Sequence, residues 1–136
     1  MFQLIYSSIE SRAMDTDDLR DIVKKAVSAN KAIDVTGLLL YVDGFILQLL
    51  EGEKEIVLNL YQKIKKDLRH YDVETILEIE RGKRMFPDWS MGFKSIHTNE
   101  IRNFDGEVIT SETLRSRCRI KPNLVFDLMA TFIEKG

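Results

Sequence analysis

Apolar and polar residues alternate almost from the first position. In FQLIYSS, 2–8, Phe2, Leu4 and Tyr6 fall on one face and Gln3, Ile5 and Ser7 on the other, the period of a β-strand. The period then lengthens. Leu19, Ile22, Val23, Ala26, Val27 and Asn30 recur at helical spacing within 16–31, with Asp15 as N-cap and Asp17 and Asp18 at the positive end of the dipole. VTGLLLYV and FILQLLEG flank Asp43-Gly44, two residues that tolerate positive φ, which predicts a tight hairpin. A second helix is predicted from Glu53 to Asp67, its apolar stripe formed by Ile56, Val57, Leu60, Tyr61 and Ile64, with Lys63 and Asp67 sharing one border. VETILEIE, 73–80, and DWSMGFKSI, 88–96, read as two more strands, joined through RGKRMFP, where Pro87 suits a turn or a strand start. In that reading Trp89, Met91 and Phe93 face one way. The pattern weakens after residue 97 until Pro122, which is predicted to open a helix over 122–135. Leu124, Val125, Leu128, Met129, Phe132 and Ile133 form its apolar side, and Gly136 lies beyond its end.

The order β-α-β-β-α-β-β over 2–96 predicts an α+β fold, a ferredoxin-like βαββαββ sandwich with a five-stranded mixed sheet and two helices on one face. Residues 1–97 form the expected domain. Residues 98–136 are read as a two-helix extension, packed on the domain or in an oligomer interface. Fold alone does not give function, because this architecture hosts enzymes, effector sensors and RNA binders.

Composition narrows the setting. The 136 residues are 44% hydrophobic and 31% charged, which fits one domain with a single core. A net charge of −2 gives no global pull toward nucleic acid or anionic membrane, and Cys118, the lone cysteine, excludes an intramolecular disulfide framework or a cysteine zinc cluster. A reducing, cytoplasmic setting is expected. MFQLIYSSIE lacks a basic stretch followed by a long apolar run, and no apolar segment approaches roughly 18 residues, so neither a signal peptide nor a membrane span is expected.

Five residues stand out on faces that otherwise read as buried: Tyr6, Asn30, Gln48, Trp89 and Met91. A buried donor or acceptor without a partner costs about 1–3 kcal/mol. Ordinary explanations exist for most of them: a packed tyrosine with its hydroxyl satisfied nearby, an asparagine at a helix end, a tryptophan and a methionine in a core. Gln48 is harder to explain, since it sits among Phe45, Ile46, Leu47, Leu49 and Leu50, where Leu would avoid the desolvation cost. A planar heteroaromatic ligand with a carbonyl and ring N–H edge would answer Asn30 and Gln48 together, because an amide offers a donor and an acceptor side by side. Ile22, Val23, Leu60 and Ile64 could then sandwich its faces. The pyrimidine ring of a flavin qualifies.

IYSS at 5–8, N(x5)TG at 30–37, LLLYVDGFILQLLEGE at 38–53, DLRH at 67–70 and RMFPDWSMGF at 84–93 together resemble the BLUF domain, the blue-light sensor using FAD, over roughly residues 1–96. The resemblance implies non-covalently bound FAD, with FMN or riboflavin as substitutes. It implies that Tyr6 is the photoactive tyrosine, giving an electron and a proton to the excited flavin and recovering them within one photocycle. Gln48 is then the switching glutamine, rotated or tautomerised by light, with a new hydrogen bond to the flavin C4 carbonyl that shifts absorption to the red. Asn30 matches the amide that holds the C4 carbonyl and N3–H, Lys63 a basic position near the C2 carbonyl, and Asp67 a carboxylate near the ribityl chain. Trp89 and Met91 match the pair on the last strand that responds to the switch. The chain departs from the family's pattern at Ala26, often serine; at Ala29, often asparagine; at Lys63, commonly arginine or histidine; and at Asp34, often glycine.

Two other readings compete. An acylphosphatase-like enzyme would use Arg12 and Asn30 to cradle phosphate, but SSIESRAMD contains no glycine to build the anion loop. A flavin-less ferredoxin-like module binding an effector or partner is kept open by Ala26 and Ala29. LRSRCRIK, 114–121, carries four positive charges. Basic and acidic side chains balance across 98–136, however, so a solvated helix edge is expected rather than a nucleic-acid contact. Cys118 is expected to be a structural thiol. No catalytic output domain fits after residue 97, so a photosensor and not an enzyme is expected. The resemblance implies that its signal leaves through self-assembly into a homo-oligomer and a light-dependent partner protein.

Overall fold

The computed structural model describes residues 1–96, 111–120 and 123–130. Strand β1 (Phe2–Glu10) is followed by helix α1 (Thr16–Ala32), the hairpin of β2 (Thr36–Val42) and β3 (Phe45–Gly52), helix α2 (Lys54–Lys65), and strands β4 (His70–Glu80) and β5 (Gly92–Ile96). Helices α3 (Ser111–Ile120) and α4 (Asn123–Ala130) follow. The sheet order is β4-β1-β3-β2-β5. β5 lies parallel to β2 and every other pairing is antiparallel, so the expected five-stranded mixed ferredoxin-like sheet is present.

Local chemistry accounts for the punctuation. Asp15 and Asp18 close a reciprocal capping box at the start of α1, satisfying two donors that the first helical turn leaves open. The chain leaves α1 through Asp34 at φ 56°, a left-handed conformation that aspartate tolerates better than most side chains. Asp43 and Gly44 take φ 48° and 88°, the two successive positive values of a type I′ hairpin.

The strands divide the core in two. On one face, Leu4, Tyr6, Leu39, Ile46 and Leu50 pack with Val57 and Tyr61 of α2 and Val23 and Ala26 of α1. On the other, Ile5, Leu40, Leu47 and Leu49 pack with Leu114 and Cys118 of α3 and Val125 and Met129 of α4. Burial pushes the Cys118 thiol up to about 12, in keeping with a structural thiol. Pro122, Phe132, Ile133 and Gly136, which sequence patterning assigns to the last helix and its end, lie outside the described residues.

The last sheet strand differs from expectation. β5 begins at Gly92 rather than at residue 88, because residues 86–89 form a turn closed by the Trp89 N–H donating to the Phe86 carbonyl at 3.2 Å. Strict alternation therefore does not apply to Trp89 and Met91, and the two do not face the same way. Met91 packs with the α1/α2 side and Trp89 with the α3/α4 side, its ring stacked on Phe86 at 5.1 Å between centroids. Trp89 reaches that position by lying over Gly92, where an added Cβ would meet its Cε3 at 2.3 Å. Gly92→Ala should displace the indole, costing about 1–2 kcal/mol and shifting tryptophan fluorescence toward that of a solvated ring. An unchanged emission spectrum would contradict this packing.

Candidate functional site

Antiparallel register brings the sequence-predicted pair together. Tyr6 of β1 lies directly opposite Gln48 of β3, and Gln48 opposite Leu39 of β2, so all three side chains project on the face covered by α1 and α2. The Tyr6 hydroxyl donates to Gln48 Oε1 in a short hydrogen bond. Gln48 Nε2 donates to Met91 Sδ at 3.3 Å. The amide that sequence patterning finds anomalous is thus buried and satisfied at both ends, linking a phenol on one side to a thioether on the other.

These groups lie in the wall of a cavity of about 270 Å³ between the sheet and the two helices. Tyr6, Asn30, Gln48, Asp67, Ile22, Val23, Leu60, Ile64 and Met91 all line it, as do Ala26 and Ala29. The two aliphatic stripes face the space, as the helical periodicity implies. Asn30 Nδ2 donates to the Ser90 carbonyl at 3.0 Å, which ties the end of α1 to the segment carrying Met91. Lys63 is exposed and outside the lining. Trp89 is also outside it, on the far side of the sheet.

Further lining residues escape sequence reasoning. The Tyr41 hydroxyl donates to Glu10, which also accepts from the Met14 N–H at 3.1 Å, closing the entry to α1. His70 Nε2 meets the Ile64 carbonyl at 2.6 Å and Nδ1 meets the Ser8 hydroxyl at 2.8 Å. A carbonyl can only accept, so Nε2 carries a proton, and in the neutral ring Nδ1 accepts from Ser8. Arg69 forks onto Asp67, with Nε to Oδ1 at 2.9 Å, and this hydrogen bonding holds the Asp67 carboxyl below its usual range. DLRH is therefore a small folded unit: a carboxylate fixed by its own arginine, and a histidine spanning two elements.

Burial, followed by repulsion from Tyr61 and Asp67, raises the Tyr6 phenol above its ordinary value of 10.0. Burial also raises Tyr41 and Tyr61. The folded chain holds these protons where the unfolded chain releases them. This contribution to stability is present below pH 10.0 and is lost as pH rises toward the folded values. In a base titration, tyrosinate absorbance from these three residues should appear together with loss of circular dichroism. Ionisation of Tyr6 near pH 10.0 in a still-folded protein, identified by comparison with Tyr6→Phe, would contradict the buried environment.

The arrangement defines a class: a sheet-and-helix pocket with apolar walls, an edge carrying the Asn30 and Gln48 amides, and a phenol–amide–thioether chain at that edge. Residues 1–92 match the family described as BLUF, sensors of blue-light using FAD, and the chain belongs to that family. It is 40% identical over 89 residues to photoactivated adenylate cyclase subunit beta of Euglena longa, and 37% identical over 86 residues to subunit alpha of Euglena gracilis. These matches cover 65% and 63% of this chain but 10% and 8% of those proteins, so the chain matches only about a tenth of the length of these curated relatives. Among solved structures, the dark state of the BLUF protein BlrB superposes with a TM-score of 0.76 at 25% identity, covering 99% of this chain and 96% of that one. The ground state of BlsA gives 0.74 at 30% identity, covering 90% and 85%. The chain is thus a blue-light-sensing flavin domain by family.

The pocket fits a flavin ring on its own chemistry. Its walls are aliphatic, its edge carries the Asn30 and Gln48 amides, and its volume lies near the lower end of small-molecule sites, roughly 300–1,000 Å³. Among the described residues, no helix is long and apolar enough to cross a membrane.

Proposed function

We propose that this chain is a blue-light photoreceptor unit in which Tyr6 and Gln48 form the photoactive pair and Met91 receives the change. Gln48 carries this reading, because its amide is held between the Tyr6 hydroxyl and Met91 Sδ. FAD is the cofactor, with FMN and riboflavin able to occupy the same ring site. Ile22, Val23, Leu60 and Ile64 pack on the ring faces, Asn30 serves the carbonyl and N3–H edge, and Asp67 with Arg69 stands at the ribityl side. Lys63 has a longer reach to make, from an exposed position on α2. The flavin, when bound, supplies absorption of blue light and an excited-state acceptor for one electron and one proton.

The chain's own part follows from the asymmetry of an amide. In the arrangement present, Gln48 accepts from Tyr6 at Oε1 and donates at Nε2. Turning the amide over places Nε2 against Tyr6 Oη and Oε1 against Met91, which ends the bond to Sδ. Tautomerisation instead moves a proton from Nε2 to Oε1. Rotation leaves Met91 without its donor, whereas the tautomer keeps one N–H on Nε2 and turns Oε1 from acceptor into donor toward Tyr6; either change alters the hold of Gln48 on Met91, just before β5. Two hydrogen-bonded states of one side chain, biased by light, are enough for a switch.

The output is a change in protein contacts, through self-association or a separate partner protein, since α3 and α4 pack directly on the far face of the sheet. Tyr6→Phe keeps the ring and removes the hydroxyl. Loaded with FAD, it should retain the dark flavin band and show no reversible red shift under blue light. A shift of wild-type size in this variant would rule out Tyr6 as the donor.

A further inference from the structure

The segment between β4 and β5 is held from both faces of the sheet. On the pocket side, Met91 Sδ accepts from Gln48 at 3.3 Å and the Ser90 carbonyl accepts from Asn30 at 3.0 Å. At the level of the sheet, the Trp89 carbonyl accepts from the Gly37 N–H at 3.0 Å. On the opposite face lies a group that the switching chemistry does not use. Glu51 is fully buried, and its carboxylate accepts from the Met85 N–H at 2.5 Å, the Phe86 N–H at 2.8 Å and Gln3 Nε2 at 2.8 Å. Arg84, just before, donates to Thr36 Oγ1 and to the Asp34 carbonyl, both at 2.8 Å.

A buried carboxylate is expensive unless several donors meet it. Two of the three donors here are backbone amides of this one segment. Glu51 lies three residues beyond Gln48 on β3, and that odd spacing points their side chains to opposite faces. One rigid strand therefore grips both ends of the same segment, with a switchable bond at Met91 and a fixed anchor at Met85 and Phe86.

We propose that Glu51 is a positioning residue for the photoswitch, the fixed pivot about which the 85–91 segment moves when Gln48 changes its hydrogen bond to Met91. This rests on reading Gln48 as the switching side chain. Without the pivot, a change at Met91 would be absorbed by slack in the turn. With it, the change is directed into Trp89 and β5.

Glu51→Gln separates this role from simple stability. A glutamine has one acceptor oxygen, so it releases one of the two backbone N–H groups. Its NH₂ can serve Gln3 Oε1, which is buried with no hydrogen-bond partner, once the Gln3 amide turns over. The fold keeps its polar pair while the segment loses half its anchor. The experiment uses the full chain loaded with FAD. It measures the light-induced shift and the dark-recovery rate in wild type, Glu51→Gln, Met91→Ala and the double variant. Glu51→Gln should retain the red shift and accelerate recovery by roughly threefold or more, with the acceleration absent in the Met91→Ala background, the signature of coupled sites. Wild-type recovery in Glu51→Gln, or the same factor in both backgrounds, would overturn the proposal. Should Glu51→Gln fail to fold, Gln3→Met removes only the third donor and should speed recovery in the same Met91-dependent way; no change there also overturns it. A wild type that binds FAD and never shifts would remove the switch itself, an outcome distinct from failure of the anchor alone.

Discussion

Gln48→Ala, loaded with FAD, is expected to stay folded, keep its dark absorption band and lose the reversible red shift entirely. The substitution removes the side chain that connects Tyr6 to Met91 and leaves the Tyr6 hydroxyl buried without its acceptor. Stranding that hydroxyl costs about 1–3 kcal/mol, too little to unfold a domain whose cavity wall is otherwise intact. Flavin affinity should fall by about tenfold or less, the worth of one hydrogen bond in a site dominated by apolar contact. Absorption before and after blue illumination checks the shift, and a fluorescence titration with FAD checks the affinity. A variant that still shifts would mean that Gln48 is a packing residue and that the signal leaves the pocket elsewhere.

Gly37→Ala is expected to have the largest effect on the fold. Gly37 lies on β2 opposite Leu50, and a Cβ there would fall 1.9 Å from the Leu49 carbonyl oxygen and 2.9 Å from its carbon. The obstacle is backbone of a central strand, so relief requires parting β2 from β3 rather than turning a side chain. The Gly37 N–H also holds the Trp89 carbonyl, so the distortion would reach the segment that carries Met91. The loss should be about 3 kcal/mol, lowering Tm by roughly 10 °C, and thermal unfolding followed by circular dichroism measures it. An unchanged Tm would show that β2 and β3 have room that the register denies them.

Much of this was legible in the chain because the relevant interactions are local or periodic. Asp43-Gly44 specifies its own hairpin, and Asp15 with Asp18 its own helix start. Period-two alternation places Tyr6 on the face of Phe2 and Leu4, while an amide among Phe45, Ile46, Leu47, Leu49 and Leu50 signals a partner without showing which. The parts that were not legible depend on contacts between distant positions. Trp89 leaves the Met91 face because Gly92 opens space beneath its indole and residues 86–89 turn, and alternation cannot anticipate a turn inside an apparently periodic run. Glu51 in LLEGE looks like the charged end of a strand. Only the arrival of Met85 and Phe86, more than thirty residues later, makes it a buried anchor. His70 likewise acquires its meaning from Ser8 and Ile64, neither of which marks it in sequence. Lys63 looks like a ring contact by position, yet α2 turns it outward, because the stripe of Val57, Leu60, Tyr61 and Ile64 already fills the inner face.

In the proposed photoreceptor, a light-biased hydrogen-bond change at Tyr6, Gln48 and Met91 turns a bound flavin into a signal. The most direct measurement is the absorption spectrum of the purified chain, loaded with FAD, recorded in darkness, after blue light and again after return to darkness. The flavin band should move slightly to the red and return fully in the dark, with no net bleaching. A chain that binds no flavin, or a bound flavin whose band is fixed or only bleaches, would contradict the photoreceptor reading and favour a flavin-less partner-binding module on the same fold.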